Sequence, residues 1–349
     1  MDLSRLLPGP LATKHLADLG AEVIKVESPA KADYLRFLEP YYKGQNIGFS
    51  VLNRGKKSVV LAFEEEPGTA LLLQLLQRCD VLVESFRPGY LSRFGLDYEA
   101  VRKSHPEIVY CSITAFGQNS SRAGHDLNCL AVSGLTDSLT GVGGPPVPKT
   151  QLADVTCGLA AGNAILAALF ARERSGEGTY LDVSMVEAAY HLVMLDSASA
   201  RHGVGAFHGG HLTGEKPYYR HYRCADGRYL AVAAVEEKFQ TIVLQALGLD
   251  DWDGAEEVFL SRDLSHWLEL LTPLDCCVEP VLEAGEVLAS QWMRERFGDW
   301  ETPPALHQAS FGEVQAGCAL PGQHTAQVLG LDDARLAELS RLGVVAASV

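Results

Sequence analysis

The chain has 349 residues, of which 47% are hydrophobic and 21% charged, and its formal net charge is -15. This is ordinary globular composition, and the length predicts two domains that each bury their own core. The acidic balance argues against a nucleic-acid partner, because phosphate backbones require concentrated Lys and Arg. It leaves room for a small anionic ligand, since a few local cations suffice to bind one.

Eight cysteines are scattered along the chain without a CxxC pair, and the adjacent Cys276 and Cys277 suit neither a zinc site nor an ordinary disulfide. This pattern indicates reduced thiols in a cytoplasmic protein. No basic-then-apolar signal opens the chain, and no run of 18 or more apolar residues occurs in it. The sequence therefore predicts a soluble protein with no membrane partner.

The chain starts close to the segment Leu6-Leu7-Pro8-Gly9-Pro10, so either the start is late or the first strand is short. Over the first 185 residues strands alternate with helices, which predicts a parallel sheet with helices on its faces. Helices are predicted over 11–19, 68–78 and 98–103, and strands over 22–27, 58–63, 81–84 and 108–113. No GxGxxG follows the first strand, which argues against an NAD enzyme.

Asp154 is predicted to cap a helix that runs over 155–174 and ends at Ser175-Gly176. A strand over 179–184 and a helix over 186–200 follow. The composition then changes to His and Gly over 201–214, which predicts a linker or a mobile loop. No metal is expected in this loop, because the spacing of its histidines fits no standard site. These histidines are His202, His208 and His211.

The next segment predicts a second, smaller α+β domain. Strands over 218–224 and 228–233 flank Asp226-Gly227, which favours a hairpin turn. Further helices are predicted over 237–247, 265–271 and 334–342, and the last of these is expected to return to the first domain. The predicted domains are a large one over 1–200 completed by 310–349, a linker over 201–214 and a small one over 215–309.

Two residues are candidates for acid/base chemistry. His125, in Gly124-His125-Asp126, follows a strand, where α/β proteins place ligands, although a lone loop histidine is commonly just solvated. Asp154 is either an ordinary helix cap or a base, because a helix N-terminus favours an ionised carboxylate and offers N–H groups to an oxyanion. Arg87 and a basic cluster either hold a phosphate or form a solvated face. The cluster is Arg54, Lys56 and Lys57.

Nearly the whole chain resembles one family in an ordered series of segments. These are DLSRLLPGPLATKHLADLGAEVIKVESP, LNRGKKSVVL, DVLVESFRPGYLSRFGLDYEAV, IVYCSITAFGQ, AGHDLNCLAVSG, PPVPKTQLADVTCG, RERSGEGTYLDVSMVEAA, PYYRHYRCADGRYLAVAAVEEKF and PGQHTAQVL. They are similar to the class III CoA-transferase family, and within it to the α-methylacyl-CoA racemases. So many segments in the same order indicate membership of the family rather than chance.

The resemblance implies an α/β fold with a Rossmann-like large domain around a parallel sheet, a smaller α+β domain, and an interlocked homodimer. It also implies a CoA ligand. Carried over segment by segment, contacts with CoA are expected from Ser28, Leu61, Ala62, Phe63, Ser85, Phe86, Arg87, Arg93, Gly124, His125, Asp126, Leu127, Asn128 and Cys129. Glu64 stands where the racemases commonly carry a basic residue, so one phosphate contact is expected to be absent or moved.

The resemblance also implies two different chemistries for one aspartate. In the transferases the residue matching Asp154 attacks an acyl-CoA and carries an acyl group as a mixed anhydride and then a thioester. In the racemases it is one of two acid/base groups, and the other is the histidine that matches His125. Transferases generally lack this histidine and carry a glycine-rich loop, whereas this chain has the histidine and no GGGG segment. It also has Glu236 where racemases have a glutamate that hydrogen-bonds the histidine.

The resemblance therefore favours an isomerase that interconverts the (R) and (S) forms of 2-methylacyl-CoA thioesters. Such a reaction needs a base on one face of the α-carbon and an acid on the other. We expect His125 and Asp154 to flank a planar enolate, and Glu236 to orient His125 and favour its protonated form. The N-terminus of the helix after Asp154, with Asp126 nearby, is expected to stabilise the enolate oxygen.

No redox cofactor or metal is expected, since CoA enters as part of the substrate. One alternative is a CoA-transferase that moves CoA between carboxylic acids through an aspartyl-CoA thioester on Asp154. Another is a non-catalytic homologue that only binds acyl-CoA.

Overall fold

A computed structural model describes residues 1–141, 143–205, 207–297 and 317–346. Its helices are α1 (Pro8–Asp18), α2 (Ile47–Asn53), α3 (Gly68–Leu76), α4 (Tyr98–Ser104), α5 (Asp126–Ser133), α6 (Leu135–Ser138), α7 (Leu152–Ser175), α8 (Met185–Tyr190), α9 (Met194–Arg201), α10 (Glu237–Leu247), α11 (Ala255–Leu260), α12 (Leu264–Leu271), α13 (Ala284–Ala289), α14 (Gln291–Phe297), α15 (Thr325–Leu329) and α16 (Asp333–Arg341).

The strands are β1 (Ile24–Glu27), β2 (Tyr41–Tyr42), β3 (Gln45–Asn46), β4 (Lys57–Leu61), β5 (Val81–Glu84), β6 (Val109–Thr114), β7 (Thr179–Ser184), β8 (Tyr219–Arg223), β9 (Tyr229–Ala233), β10 (Val278–Pro280) and β11 (Val345–Ala346). Short 3-10 helices occur at Tyr34–Phe37, Leu91–Phe94, His191–Val193, Phe207–Gly210 and Thr272–Leu274. The described residues divide into two compact units, 1–193 with 317–346, and 194–297. The domain bounds expected from the sequence stay a prediction.

The main sheet of the first unit is largely parallel. β1 pairs with β4, and β5, β6 and β7 pair in that order, all in parallel, while β11 pairs antiparallel with β4. Asp2 forms parallel bridges with both Lys25 of β1 and Val83 of β5. Residues 1–3 therefore join the two halves of the sheet. The contact consists of isolated bridges at Asp2, and the first strand of the chain is β1.

Side chains along each strand alternate between two hydrophobic clusters on the two faces of the sheet. Leu82 of β5 lies in the first cluster, with residues of α3, α4, α15 and α16. Its neighbour Val83 lies in the second cluster, with residues of α1, α5, α7 and α8. Helices on both faces of a mainly parallel sheet make this a mixed α/β fold, as expected.

Among the described residues, one helix, α7, is long and apolar enough to cross a membrane by length and composition alone. Its buried positions Ala153, Cys157, Ala161 and Ile165 belong to the second cluster. The helix also packs against α1 and α8. α7 therefore packs into the second hydrophobic cluster of the first unit.

Two of the three residues in the basic cluster predicted as a phosphate site or a solvated face are buried in ion pairs. Lys56 is buried, and its Nζ lies 3.0 Å from Oδ2 of the buried Asp2. Arg54 is also buried and pairs with Asp18 at 2.7 Å. Lys57 pairs with Glu22. Lys56 and Arg54 therefore hold the N-terminal segment and α1 against the sheet.

The second unit contains the antiparallel sheet β10-β9-β8. The predicted hairpin at Asp226-Gly227 is confirmed, and Gly227 adopts a φ of 81°, which glycine tolerates in such a turn. A cluster of buried side chains from α10, α11 and α12 covers this sheet. The His/Gly segment 201–214 lies inside this unit and contains a 3-10 helix at Phe207–Gly210.

Most predicted elements are present with bounds shifted by one to three residues. The helix predicted over 186–200 is instead divided into α8, a 3-10 turn at His191–Val193 and α9. Residues 298–316, which the sequence divides between the small domain and the C-terminal part of the large one, lie outside the described residues. The side chain of His208 also lies outside them.

Candidate active site

The ends of two neighbouring parallel strands form a cleft of about 290 Å³. β5 ends at Glu84 and β6 ends at Thr114, and the residues that follow each strand line the cleft. The carboxyl ends of parallel strands are where α/β proteins bind ligands. Six of the residues expected from the sequence line this cleft together. They are Ser85, Phe86, Arg87, Gly124, His125 and Asp154.

The turn after β5 is fixed by its own side chains. Oε2 of the buried Glu84 accepts a hydrogen bond from the N–H of Phe86 at 2.7 Å. Oγ of Ser85 accepts one from the N–H of Arg5 at 3.0 Å. This second bond ties the segment between residues 3 and 8 to the turn. The cleft is therefore built from two chain segments 80 residues apart.

His125 is the residue immediately before α5. Its N–H donates to Oδ1 of Asn128 at 3.1 Å, which closes the first turn of the helix. Gly124 packs so closely against Phe116 and Ala115 that a Cβ there would lie 2.7 Å from the Phe116 ring. The histidine backbone is therefore fixed on both sides, while its side chain is exposed in the cleft.

The expectation that Asp154 caps its helix is wrong. α7 begins at Leu152 with Gln151 before it, so Asp154 lies inside the first turn. The cap is supplied from elsewhere, because Oδ1 of Asp126 accepts hydrogen bonds from the N–H groups of Ala153, at 2.7 Å, and Asp154, at 3.1 Å. These two N–H groups are occupied, which removes the support for their expected role at an enolate oxygen.

Asp154 is half-buried in the cleft wall. Burial, and after it the charge of Asp126, raises the pKa of the Asp154 carboxyl to about 7. Burial disfavours the charged form of any carboxylate, and a nearby like charge does the same. The group therefore exchanges its proton near neutral pH, which suits a general acid or base.

Three arginines, Arg5, Arg87 and Arg122, line the same cleft. Nη1 of Arg87 donates to the carbonyl of Ser121 at 3.0 Å, and the guanidinium of Arg122 lies 4.1 Å from the centroid of the Phe116 ring. Within the described residues, none of the three forms an ion pair with a carboxylate. Their charge is available to an anion. Sequence analysis missed Arg5 and Arg122, because neither lies in a local pattern of basic residues.

Several residues expected to contact CoA lie outside the lining of the cleft. Ser28 is buried and donates to Oε2 of Glu64 at 2.6 Å, and the Tyr90 hydroxyl donates to Oε1 of the same carboxylate at 3.2 Å. Leu61 and Phe63 are buried in the first hydrophobic cluster, and Ala62 between them is half-buried. The carboxylate of Glu64 is therefore held by two hydroxyl groups.

Three further expected contacts belong to α5, and one to a 3-10 turn. Leu127 and Asn128 are exposed, whereas Cys129 is buried, which raises the pKa of its thiol to about 11. Arg93 lies on the 3-10 helix after the β5 turn, with its guanidinium 5.7 Å from the Tyr90 ring centroid. Glu236 is an exposed residue of the second unit, immediately before α10, and its expected bond to His125 stays a prediction.

No group of three or more His, Cys, Asp or Glu side chains in the described part of the chain is arranged to hold a metal ion. His211, one of the histidines of the His/Gly segment, pairs through Nδ1 with the hydroxyl of Tyr218. The eight cysteines are free thiols. Cys276 is buried and Cys277 exposed.

The fold and the cleft together define an α/β protein with a carboxyl group, an imidazole and unpaired arginines at the end of parallel strands. The sequence family described as CoA-transferase family III matches residues 1–308. The chain belongs to this family of enzymes.

Relatives in the family carry out more than one reaction. The alpha-methylacyl-CoA racemase of Homo sapiens is 34% identical, over 85% of this chain and 80% of the relative. The succinyl-CoA:glutarate CoA-transferase of Homo sapiens is 36% identical, over 99% of this chain and 88% of the relative. A crystal structure of a CAIB/BAIF family protein from Brucella suis has a TM-score of 0.82 and 26% identity, covering 94% of this chain and 96% of that one.

Proposed function

We propose that the protein is an α-methylacyl-CoA racemase that interconverts the (R) and (S) forms of 2-methylacyl-CoA thioesters. The observation that carries the proposal is that His125 and Asp154 line one cleft, with the pKa of Asp154 raised to about 7. A racemase needs two groups that each lose and regain a proton at neutral pH. A transferase that uses Asp154 as its nucleophile has no requirement for the imidazole.

The two groups act in opposite directions on one α-carbon. When the Asp154 carboxylate removes the α-proton, protonated His125 returns a proton to the opposite face of the planar enolate. For the other enantiomer, neutral His125 is the base and the Asp154 carboxylic acid is the donor. One proton is taken and one is given in each turnover, so the overall charge of the pair is unchanged.

The enolate oxygen needs hydrogen-bond donors that are not already used. Within the described residues, the N–H groups of Asp126 and Leu127, in the first turn of α5, have no acceptor. The first of them directly follows His125 and lies at the positive end of the helix. We assign the oxyanion to this turn, in place of the first turn of α7. The orienting role that the resemblance implies for Glu236 stays a prediction.

The three arginines of the cleft favour a substrate with several negative charges. CoA carries such charges on its phosphates, and guanidinium groups bind phosphate through paired N–H donors. Because CoA enters with the acyl group, no further cofactor or metal is needed. The proposal includes a Rossmann-like large domain, a homodimer with interlocked subunits, and a cytoplasmic location.

A second candidate is a CoA-transferase, favoured by the relatives that carry this activity. In that reaction the Asp154 carboxylate attacks the thioester carbonyl and releases the CoA thiolate. The thiolate then attacks the aspartyl carbonyl of the resulting anhydride, which releases the donor carboxylate and leaves an aspartyl-CoA thioester. The acceptor carboxylate attacks this thioester, and the thiolate released again takes the acceptor's acyl group to form the new acyl-CoA and free Asp154. A raised pKa makes Asp154 a weaker nucleophile below pH 7 but does not exclude this role.

One incubation distinguishes the racemase from the CoA-transferase. A single enantiomer of a 2-methylacyl-CoA is placed in deuterated water with the enzyme, with and without an added dicarboxylic acid. Loss of optical purity with deuterium at the α-carbon is the expected result. Transfer of CoA to the acid without deuterium exchange would establish the transferase and overturn the racemase. His125→Ala is expected to abolish exchange, while the exposed His221→Ala serves as the matched control.

A further inference from the structure

We propose that Asp126 is a positioning residue that sets how tightly Asp154 holds its proton, through its two hydrogen bonds to the first turn of α7. This inference rests on the proposed function, in which Asp154 must both lose and regain a proton. The side chain of Asp126 reaches the backbone of Asp154 from outside the cleft lining, and only the backbone N–H of Asp126 is assigned to the oxyanion. Its Oδ1 accepts from the backbone of residues 153 and 154, 27 and 28 positions further along the chain.

The first effect of this contact is to block a stabilising interaction. An aspartate in the first turn of a helix is normally kept ionised by free N–H groups and by the positive end of the helix dipole. α7 has 24 residues, so the helix dipole at its N-terminus is fully developed. Asp126 occupies the N–H groups of Ala153 and Asp154 itself. Its negative charge also opposes the positive end of the dipole.

The second effect is direct repulsion. Asp126 places a carboxylate beside Asp154, and a nearby like charge disfavours ionisation. After burial, this charge is the other cause of the raised pKa of Asp154. The remaining charged or titratable groups around Asp154 are the three arginines of the cleft, Tyr34, His125, Cys129 and Cys157. Asp126 differs from these groups because its side chain accepts hydrogen bonds from the first turn of α7.

Catalysis by a two-group racemase explains why this arrangement is useful. The active enzyme carries one proton shared between His125 and Asp154, and each of its two forms accepts one enantiomer. If Asp154 held its proton as weakly as an ordinary aspartate, the proton would reside almost entirely on His125. Such a mismatch between the proton affinities of the two groups makes Asp154 a weak base, which slows proton removal from one enantiomer. Because the equilibrium constant between two enantiomers is one, the reaction of the other enantiomer is slowed equally.

Asp126→Asn separates the charge from the hydrogen bonds, because the amide keeps an oxygen that accepts from both N–H groups. We expect the pKa of Asp154 to fall by about one unit in this variant. The measurement is a ¹³C NMR titration of aspartate-labelled protein, with the Asp154 signal identified by its loss in Asp154→Asn. The acidic limb of the kcat/KM profile is expected to move to lower pH by a similar amount, equally for both enantiomers.

Asp137→Asn is the matched control, since Asp137 is an exposed aspartate of α6 that lies outside the cleft. It removes the same charge, and the pKa of Asp154 is expected to stay unchanged. Asp126→Ala also frees the two N–H groups, so the pKa is expected to fall at least as far as in Asp126→Asn. An unchanged titration of Asp154 in folded Asp126→Asn would overturn the proposal.

The NMR titration needs no substrate, so it distinguishes this inference from the proposed function. If the pKa of Asp154 falls in Asp126→Asn while the unchanged protein exchanges no α-proton, the positioning role stands and the racemase assignment is wrong. If exchange occurs in the unchanged protein and the pKa does not respond to Asp126→Asn, the racemase assignment stands and the positioning role is wrong.

Discussion

Replacing Gly124 with Ala tests whether the backbone before His125 determines where the imidazole lies. A Cβ at this position would lie 2.7 Å from Cε2 of Phe116 and 2.9 Å from Cβ of Ala115. Ordinary contacts begin at 3.4 Å, so the loop must open by about 0.7 Å to accept the methyl group. Arg122 moves with it, since its guanidinium lies over the Phe116 ring.

The size of the effect follows from this overlap. Forcing an extra methyl group into a packed region costs about 1–3 kcal/mol of folding free energy. A displacement of about 1 Å in a catalytic group lowers the rate roughly 100-fold. We therefore expect kcat/KM for α-proton exchange to fall by about 10- to 100-fold in Gly124→Ala. Urea unfolding gives the stability change, and deuterium exchange followed by NMR gives the rate.

Gly141→Ala is the matched control for this substitution. Gly141 has no heavy atom within 4 Å of the added Cβ, and its φ lies outside the left-handed region. We expect it to change neither the free energy of unfolding nor the exchange rate. Wild-type stability and rate in Gly124→Ala would refute the reasoning, because the methyl group would then fit without moving His125.

Three further predictions follow from the cleft and from the buried charges. The basic form of Asp154 is lost as the pH falls through its raised pKa of about 7, so kcat/KM is expected to fall about ten-fold per pH unit on the acid side of neutrality. A profile that stays flat down to about pH 5 contradicts this. Arg5→Ala and Arg122→Ala are expected to raise KM for the acyl-CoA several-fold with little change in kcat, and an unchanged KM in both excludes them as phosphate ligands. Lys56→Met is expected to lower the free energy of unfolding by about 3 kcal/mol, measured in urea, because Asp2 then loses its buried ion pair with Lys56. Adding Asp2→Asn is expected to recover part of this loss, and no recovery would show that the pair is not the cause.

The elements with local signals were predicted well from the sequence. β5 and β7 have the bounds expected from their buried-strand patterns, and α10 has those expected from its apolar spacing. The hairpin at Asp226-Gly227 follows from the φ that its glycine must adopt. In each case the signal lies within the element itself. Short-range pattern is therefore sufficient where packing does not override it.

The features that were missed depend on partners distant in the sequence. Residues 1–3 are too few to show a strand pattern, yet they complete the centre of the sheet by pairing with β1 and β5. Lys56 is buried because its Nζ donates to Asp2, 54 positions away, and to the carbonyl of Pro10 in α1, 46 positions away. The cap of α7 was assigned to the wrong aspartate for the same reason. A carboxylate 28 residues upstream, that of Asp126, performs the role that local sequence gives to Asp154.

The same long-range contact explains why the two candidate groups form a pair. His125 and Asp126 are neighbours in the chain, and Asp126 is bonded to the backbone of Asp154. The backbone that carries His125 is therefore joined to the backbone that carries Asp154 through one residue and one hydrogen bond. Each residue of the Gly-His-Asp motif has a separate contact. The glycine packs against Phe116 and Ala115, the histidine lines the cleft, and the aspartate accepts hydrogen bonds from the first turn of α7 and places a negative charge beside it. A change in any of the three is expected to alter proton transfer, but only loss of the aspartate is expected to shift its pH dependence through Asp154.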